Sequence, residues 1–503
     1  MTYSLGVHLG TTSVAAAVAQ GTRAEMVGLG ERSVVAAAAV YLRPDGVLIV
    51  GDPAARRHHL DPERVVREVR RRLGDPTPIL LGGVGFDASV LLARMVTDVV
   101  SRVSAARGYP PEMVMLSRPA SWGPFRRELF DNVSQLAGLP ESRTITAAEA
   151  AATHYGAARR IDDNEIVAVL HLGGGTCEVT VLRKTADGFV VLGAPEAVER
   201  LGGTNIDEAL LNYIDHATGN ALAEMDISNR STAAMLARLH RDCALAKEAL
   251  SFDDDAVVPV FLPDRQVDVR LTRATLEGMA RPVLEATTGV FRQALEAADV
   301  AAHDLGAVLL TGGSTRVPLL GRMISDVAGR PVVIDRHPEF VTAMGAARLA
   351  VLERAFAAQS GFRGAGYGSE SPADRVELVP AAMSSVDGLA VLSSGGNAHG
   401  GGYLGAPLDD EETVMYSSAQ FARADEARAD EGPAEQAAAA GGRPGFRAAR
   451  IVTVAVIAAL VVVGLVIFVL VGSLGIGGVI GDHQTSTLLP KPPPTAVSPA
   501  PPG

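Results

Sequence analysis

An α/β protein is what this sequence predicts, and three segments carry the expectation. Gly6-Val7-His8-Leu9-Gly10-Thr11-Thr12-Ser13 and Leu170-His171-Leu172-Gly173-Gly174-Gly175-Thr176 repeat one order: an apolar run, a histidine, glycine, then threonine. Each is followed by a second apolar run, Val14 to Val18 and Val179 to Leu182, so each reads as a hairpin. The third segment, Val308-Leu309-Leu310-Thr311-Gly312-Gly313-Ser314-Thr315-Arg316-Val317-Pro318, reads as a buried strand, a glycine turn and a helix opened by proline.

The turns suit phosphate. Glycine lets backbone N–H groups come close to an anion, and the threonine hydroxyls add donors. Arg316 offers a cation able to stack on a planar base.

Together with Glu149 in Ala148-Glu149-Ala150-Ala151-Ala152-Thr153-His154-Tyr155-Gly156, these segments in this order resemble the nucleotide-binding domain of DnaK-type heat-shock chaperones, a branch of the actin and sugar-kinase superfamily. The resemblance runs from about residue 3 to about residue 352. It is supported by Leu201-Gly202-Gly203-Thr204-Asn205-Ile206-Asp207, by Ala246-Lys247-Glu248-Ala249-Leu250-Ser251 and by Ala343-Met344-Gly345-Ala346-Ala347. It implies a two-lobed actin-like ATPase fold with duplicated ribonuclease-H-like cores over residues 1–352, lobe I about 1–160 and lobe II about 165–352. The implied ligand is ATP or ADP, held by Gly10, Thr11, Thr12, Gly173, Gly174, Gly175, Thr176, Gly202, Gly203, Lys247, Ser251, Gly312, Gly313, Ser314, Arg316 and Glu339.

Departures from the family pattern bear on chemistry. His8 and His171 stand where that family has aspartates holding hydrated magnesium. Magnesium asks for hard oxygen ligands, so the exchange puts the magnesium site in doubt and hydrolysis should suffer. The lysine that assists the attacking water is matched by Arg70 in Arg67-Glu68-Val69-Arg70-Arg71-Arg72, a run of arginines that leaves the register open by one residue. Glu149 matches the family's glutamate in the water and magnesium network, so Glu149 and Arg70 are the expected catalytic pair. Glu339 stands for a usual aspartate, Glu248 for a basic residue beside adenosine and Ala244 for a glutamate there, which leaves adenine selectivity less secure than phosphate binding. Two readings of the histidines stay open. Each is a satisfied polar group of its hairpin, or the two form an imidazolium pair that replaces the metal beside a phosphate.

At 503 residues the chain is long enough for a substantial core, and its formal net charge of −12 gives no reason to expect nucleic acid as a partner. The two cysteines, Cys177 and Cys243, lack metal-type spacing and read as buried apolar fillers. Residues 353–450 carry glycine clusters and the acidic run Asp409-Asp410-Glu411-Glu412, the pattern of a flexible, solvated linker. Ile451 to Val471 contains no charge, and about 20 such residues span a bilayer as a helix. Arg443, Arg447 and Arg450 precede it, so the positive-inside bias puts the N-terminal domain in the cytoplasm and the proline-rich stretch 472–503 outside. Beyond residue 352 no series of alternating strands is present to build a peptide-clamping β-sandwich. The expectation is therefore a single-pass protein of the cell membrane, a DnaK-like pseudo-ATPase or very weak ATPase that answers to nucleotide by recruiting a cytoplasmic partner. An active chaperone-type ATPase and an actin-like scaffold linked to envelope growth are the alternatives.

Overall fold

A computed structural model of the chain describes residues 2–226, 229–364 and 413–416. Its first sheet contains β1 (Ser4–Leu9), β2 (Ser13–Gln20), β3 (Arg23–Val27), β4 (Met113–Arg118) and β5 (Ser142–Thr146), in the order β5-β4-β1-β2-β3. β1 runs antiparallel to β2 and parallel to β4, and β4 runs parallel to β5. The second sheet contains β6 (Ile166–Leu172), β7 (Thr176–Thr185), β8 (Gly188–Glu199), β9 (Leu305–Thr311) and β10 (Val332–Asp335). Its order, β8-β7-β6-β9-β10, and its strand directions repeat the first. The duplication that the resemblance implies is thus present at the level of whole sheets.

Both sheets are covered on both faces, which is why their central strands are apolar throughout and not alternating. Leu5, Val7 and Leu9 point into one core together with Trp122 and Phe130, under α1 (Ala88–Arg107) and α2 (Pro124–Leu136). In the second half, Leu170, Leu172, Leu284, Phe291 and Leu320 form the equivalent core. It lies beneath α4 (Gly203–Ala217), α5 (Arg230–Ala249), α6 (Arg273–Ala297) and α7 (Pro318–Ala328).

The other two faces are joined by a helix exchange. α3 (Ala147–Ala158) closes the first half in chain order, yet its Ala148, Ala151, Ala152 and Tyr155 pack on Val167, Val169 and Leu309 of the second sheet. α8 (Val341–Gly364) ends the second half, yet its Ala343, Met344 and Ala347 pack on Ala15, Ala17 and Ala19 of the first. The helices cross almost backbone to backbone, since a Cβ on Gly345 would stand 1.7 Å from the Ala150 carbonyl oxygen. A Cβ on Gly6 would likewise stand 2.2 Å from the Ala347 nitrogen. The alanine bias of the sequence has a structural cause here: a close three-layer sandwich tolerates only small side chains.

Two ordered pieces fall within the stretch 353–450 that the sequence reads as linker. α8 continues to Gly364, because no proline stops it, and β11 (Thr413–Tyr416) adds antiparallel to β10 at the sheet edge. The apolar stretch Ile451 to Val471 and the tail 472–503 lie outside the described residues. Among the described residues no helix is long and apolar enough to cross a membrane. Cys177 and Cys243 are buried with free thiols.

Candidate functional site

The two histidines end the faces that the crossing helices cover. His8 continues the Ser4, Gly6 face of β1, and His171 continues the Val167, Val169 face of β6, so period-2 alternation turns both toward the cleft between the halves. Their rings meet edge to face with centroids 5.9 Å apart. Each Nδ1 is engaged by a hydroxyl of the neighbouring parallel strand: His8 with Ser117 Oγ at 2.8 Å, and His171 with Thr311 Oγ1 at 3.1 Å. Ser117 and Thr311 are the register partners of the two histidines. Each Nε2 lies over the glycine two residues on, 3.5 Å from where a Gly10 Cβ would sit and 2.9 Å from that of Gly173.

Beyond the imidazoles the two turns touch. Gly10 N–H donates to Ser13 O at 2.8 Å and Gly173 N–H donates to Thr176 O at 3.0 Å, which tightens both turns in the same way. Arg70 Nη2 donates to Thr11 Oγ1 at 2.8 Å, and Thr11 Oγ1 lies 2.9 Å from Thr176 Oγ1. Because Thr11 accepts from a guanidinium, its own proton is available for Thr176. Of the run of arginines, Arg70 is the buried one, 7% exposed. Arg71 instead pairs with Glu68 at 2.5 Å and donates to the Gly175 carbonyl. A Gly174 Cβ would fall 2.4 Å from Thr12 Oγ1, so only glycine fits this approach.

Gly202 and Gly203 come against the second turn, where Gly203 N–H donates to Gly173 O at 3.0 Å. Lys247 pairs with Asp207 at 2.8 Å and donates to Gly203 O at 3.2 Å. Ser314 Oγ donates to Gly173 O at 2.9 Å, and Gly312, with φ of 87°, brings its Cα against Leu172 O. Gly313 follows with open space around it. Ser251 lies just past α5 and turns back to Lys247 O. Arg316 donates to Glu339 at 2.7 Å and its guanidinium stands 5.4 Å from the Phe252 ring centroid, which together make an amphipathic surface. Burial raises the Glu248 carboxyl there.

Glu149 is placed differently from expectation. Its carboxylate closes a capping box at the start of α3, accepting from Thr146 N–H at 3.3 Å and from the Thr146 hydroxyl, and no hydrogen bond or ion pair among the described residues carries it to Arg70 or the histidines. The buried carboxylate at the cleft is Glu178, which sequence reasoning missed although it is the cross-strand partner of His171 in the second hairpin. It accepts from Ala120 N–H at 3.0 Å, Ser121 Oγ at 2.7 Å and Ser121 N–H at 3.4 Å, tying the second half to the first. A cavity of about 480 Å³ opens beside it, lined by Thr11, Arg70, Trp122, Thr176 and Glu178 among others. Phe252 was also missed, for it lies one residue past the helix segment that carries the resemblance.

The electrostatics follow from burial. Desolvation, His171 and the Arg70 charge hold His8 well below the ordinary imidazole value. Desolvation and Arg70 bring His171 down to about 4. Burial thus favours the neutral form of both rings, and Arg70 brings a buried positive charge beside them. Burial lowers Arg70 itself to about 10, with Glu178 and Glu199 opposing the shift.

These residues suit a nucleotide's phosphates. A Cβ on Gly174, Gly202 or Gly312 would collide with Thr12, Gly173 O or Leu172 O, so the turns close on one another with the Thr11, Thr12 and Thr176 hydroxyls beside them. Hydrated magnesium fits poorly. The two facing positions present nitrogen in place of oxygen, both Glu178 oxygens are already accepting hydrogen bonds, and among the described residues no three His, Cys, Asp or Glu converge on a metal position.

Comparison with known proteins agrees with this architecture. Residues 79–359 match the model of the Hsp70 protein family. That stretch begins after the first turn and Arg70. The chain is 29% identical over 355 residues to the chaperone protein DnaK of Cenarchaeum symbiosum (strain A), covering 68% of this chain and 53% of that protein. It is 27% identical over 351 residues to the DnaK of Elusimicrobium minutum (strain Pei191), covering 68% and 56%. The chain spans about half the length of the curated relatives it matches. It belongs to the Hsp70 family, with a DnaK-type nucleotide-binding domain of the actin-like ATPase superfamily.

Proposed function

We propose that this protein is a membrane-tethered binding module governed by ATP and ADP, in which the two halves close on nucleotide and so recruit or release a cytoplasmic partner, with hydrolysis very weak or absent. One observation carries the reading: polar groups from the two halves meet directly at the ligand end of the cleft, Thr11 with Thr176 and Glu178 with Ala120 and Ser121. A phosphate chain that engages both turns must change these contacts, and differential contact is what shifts a two-state equilibrium. The γ-phosphate supplies the difference between ATP and ADP. Thr11, Thr12 and the Gly173 to Thr176 turn hold the phosphates, and Arg316, Phe252 and Glu339 border the nucleoside. Weak hydrolysis is favoured because imidazoles replace carboxylates at both turns and Glu149 is spent on a helix cap.

The tether rests on Ile451 to Val471 and the preceding Arg443, Arg447 and Arg450, which support a single span of the cell membrane with the nucleotide domain cytoplasmic and the proline-rich tail outside. Hydrogen exchange of the full chain with ATP, with ADP and without nucleotide tests the switch. Distinct protection of β1, β6 and α8 in the three states is expected, and identical protection refutes it. Phosphate release at saturating ATP separates this module from an active chaperone-type ATPase, and sedimentation with nucleotide separates it from a polymerising scaffold.

A further inference from the structure

The cleft's donor set disagrees with the metal that the fold family implies, and the disagreement has a direction. Arg70 is a buried cation for which no carboxylate lies within ion-pairing distance among the described residues, whereas Arg71 and Arg126 beside it are paired with Glu68 and Glu199. Its one hydrogen bond among the described residues runs to Thr11 Oγ1, in the first turn itself. Glu178 and Glu199 act on it from farther off and offset its desolvation only in part, so an arriving anion would offset it further. A divalent cation would deepen that cost.

The imidazoles are arranged for the same ligand. The Thr311 hydroxyl lies 3.1 Å from His171 Nδ1, and the Ser117 hydroxyl, which has Val7 O at 3.4 Å as a second acceptor, lies closer to His8 Nδ1 at 2.8 Å; donation to Nδ1 leaves the remaining ring proton on Nε2. Both Nε2 edges lie over the glycines of the two turns, where phosphate oxygens would come. Uncharged imidazole N–H groups at these points donate as the waters of a hydrated metal would, without bringing charge.

We infer that the cleft holds the phosphates of a nucleotide without a divalent metal, the Arg70 guanidinium serving as counter-charge and His8 and His171 as paired hydrogen-bond donors. This rests on the nucleotide-binding reading above and sharpens it. Arg70 thereby has a binding role, and its planar fork suits two oxygens of one phosphate. The site pays no metal-dehydration cost and has no metal to polarise the terminal phosphate.

Calorimetric titration of ATP into the full chain in detergent, once with magnesium and once with EDTA, tests the inference. The dissociation constants should agree within about threefold. Arg70→Gln should weaken binding in EDTA about tenfold or more, with Arg70→Lys losing less, circular dichroism confirming the fold of each. The double change His8→Asp with His171→Asp should lose about tenfold in EDTA and regain it with magnesium. Wild-type binding that is tenfold tighter with magnesium overturns the inference while leaving the nucleotide reading standing. Loss in EDTA that zinc restores and magnesium does not also overturns it, since the imidazoles would then be metal ligands. Absence of ATP binding in every condition overturns the nucleotide reading itself. Should Arg70→Gln fail to fold, the wild-type pair of titrations decides alone.

Discussion

Replacing Gly174 by alanine puts a methyl group into the close approach between the two turns. The added Cβ would lie 2.4 Å from Thr12 Oγ1, 2.8 Å from Thr12 Cγ2 and 3.1 Å from Thr12 Cβ. Ordinary contact is about 3.4 Å or more between such atoms, so the turns must part by roughly 1 Å. Threonine is short and branched and cannot swing clear as a lysine would. A phosphate bridging both turns then keeps good geometry with one turn only. Hydrogen bonds to a charged group contribute about 1.5–3 kcal/mol each, so losing one or two predicts a loss of roughly 2–4 kcal/mol, about 30-fold to 1,000-fold in ATP affinity. The collision lies in the cleft and not in either core, so the melting temperature should move by no more than about 2 °C. Thr12→Ala removes the two nearest of these atoms and should return part of the affinity to the double variant. Calorimetry supplies the affinities and a thermal melt the stability. Unchanged affinity in Gly174→Ala, or no rescue by Thr12→Ala, refutes the assignment of this contact as the phosphate cradle.

Four further outcomes are expected. Gly345→Ala drives a Cβ to 1.7 Å from the Ala150 carbonyl oxygen in the helix crossing and should destabilise the domain by about 3 kcal/mol or more, read by urea unfolding. Glu178→Gln keeps the shape but cannot accept from all three donors as a charged group, so the tie between the halves should loosen by about 1–2 kcal/mol, seen as faster hydrogen exchange in the segment around Ala120 and Ser121. Stability should fall on acidification, because His171 is held at about 4 against an ordinary 6.5 and the unfolded chain alone takes up the proton in between. The loss sets in below pH 6.5, levels off below about pH 4 and amounts to at most about 3 kcal/mol for this residue, with His8 acting in the same direction. Unfolding measured at pH 7 and pH 4.5 checks it, and His171→Gln should flatten the profile. Glu149→Gln should act on α3 as a weakened cap, about 0.5–1 kcal/mol, with ATP affinity unchanged within twofold.

The parts of the fold that follow from local pattern were legible. Apolar runs flanking Gly10 and Gly173 announce hairpins, Pro318 opens the helix after the third turn, and the order of the three turns names the architecture. The helix exchange was not legible, because α3 and α8 are alanine-rich and nearly featureless, and no short-range rule says which sheet a small-residue helix will cover. The run of arginines shows the same boundary. Spacing leaves the register open, and only burial separates Arg70 from Arg71 and Arg72.

At the site, the glycines and threonines that the sequence singles out are brought together in the two turns. The partners that decide what the turns can do come from strand pairing at long range. Ser117 reaches His8 across 109 residues and Thr311 reaches His171 across 140. Those hydroxyls bear on whether an imidazole presents N–H or a lone pair to the cleft, hence whether the pair serves an anion or a metal. Neither histidine's chemistry is therefore a property of its own hairpin. The same holds for the carboxylates: Glu149, which the resemblance casts as catalytic, is drawn into its helix cap by Thr146 three positions earlier, whereas Glu178 enters the cleft only because the register of the second hairpin puts it opposite His171. A capping box is a local competitor for a carboxylate, and here it wins over the cleft because both of its hydrogen bonds form within a single turn of chain.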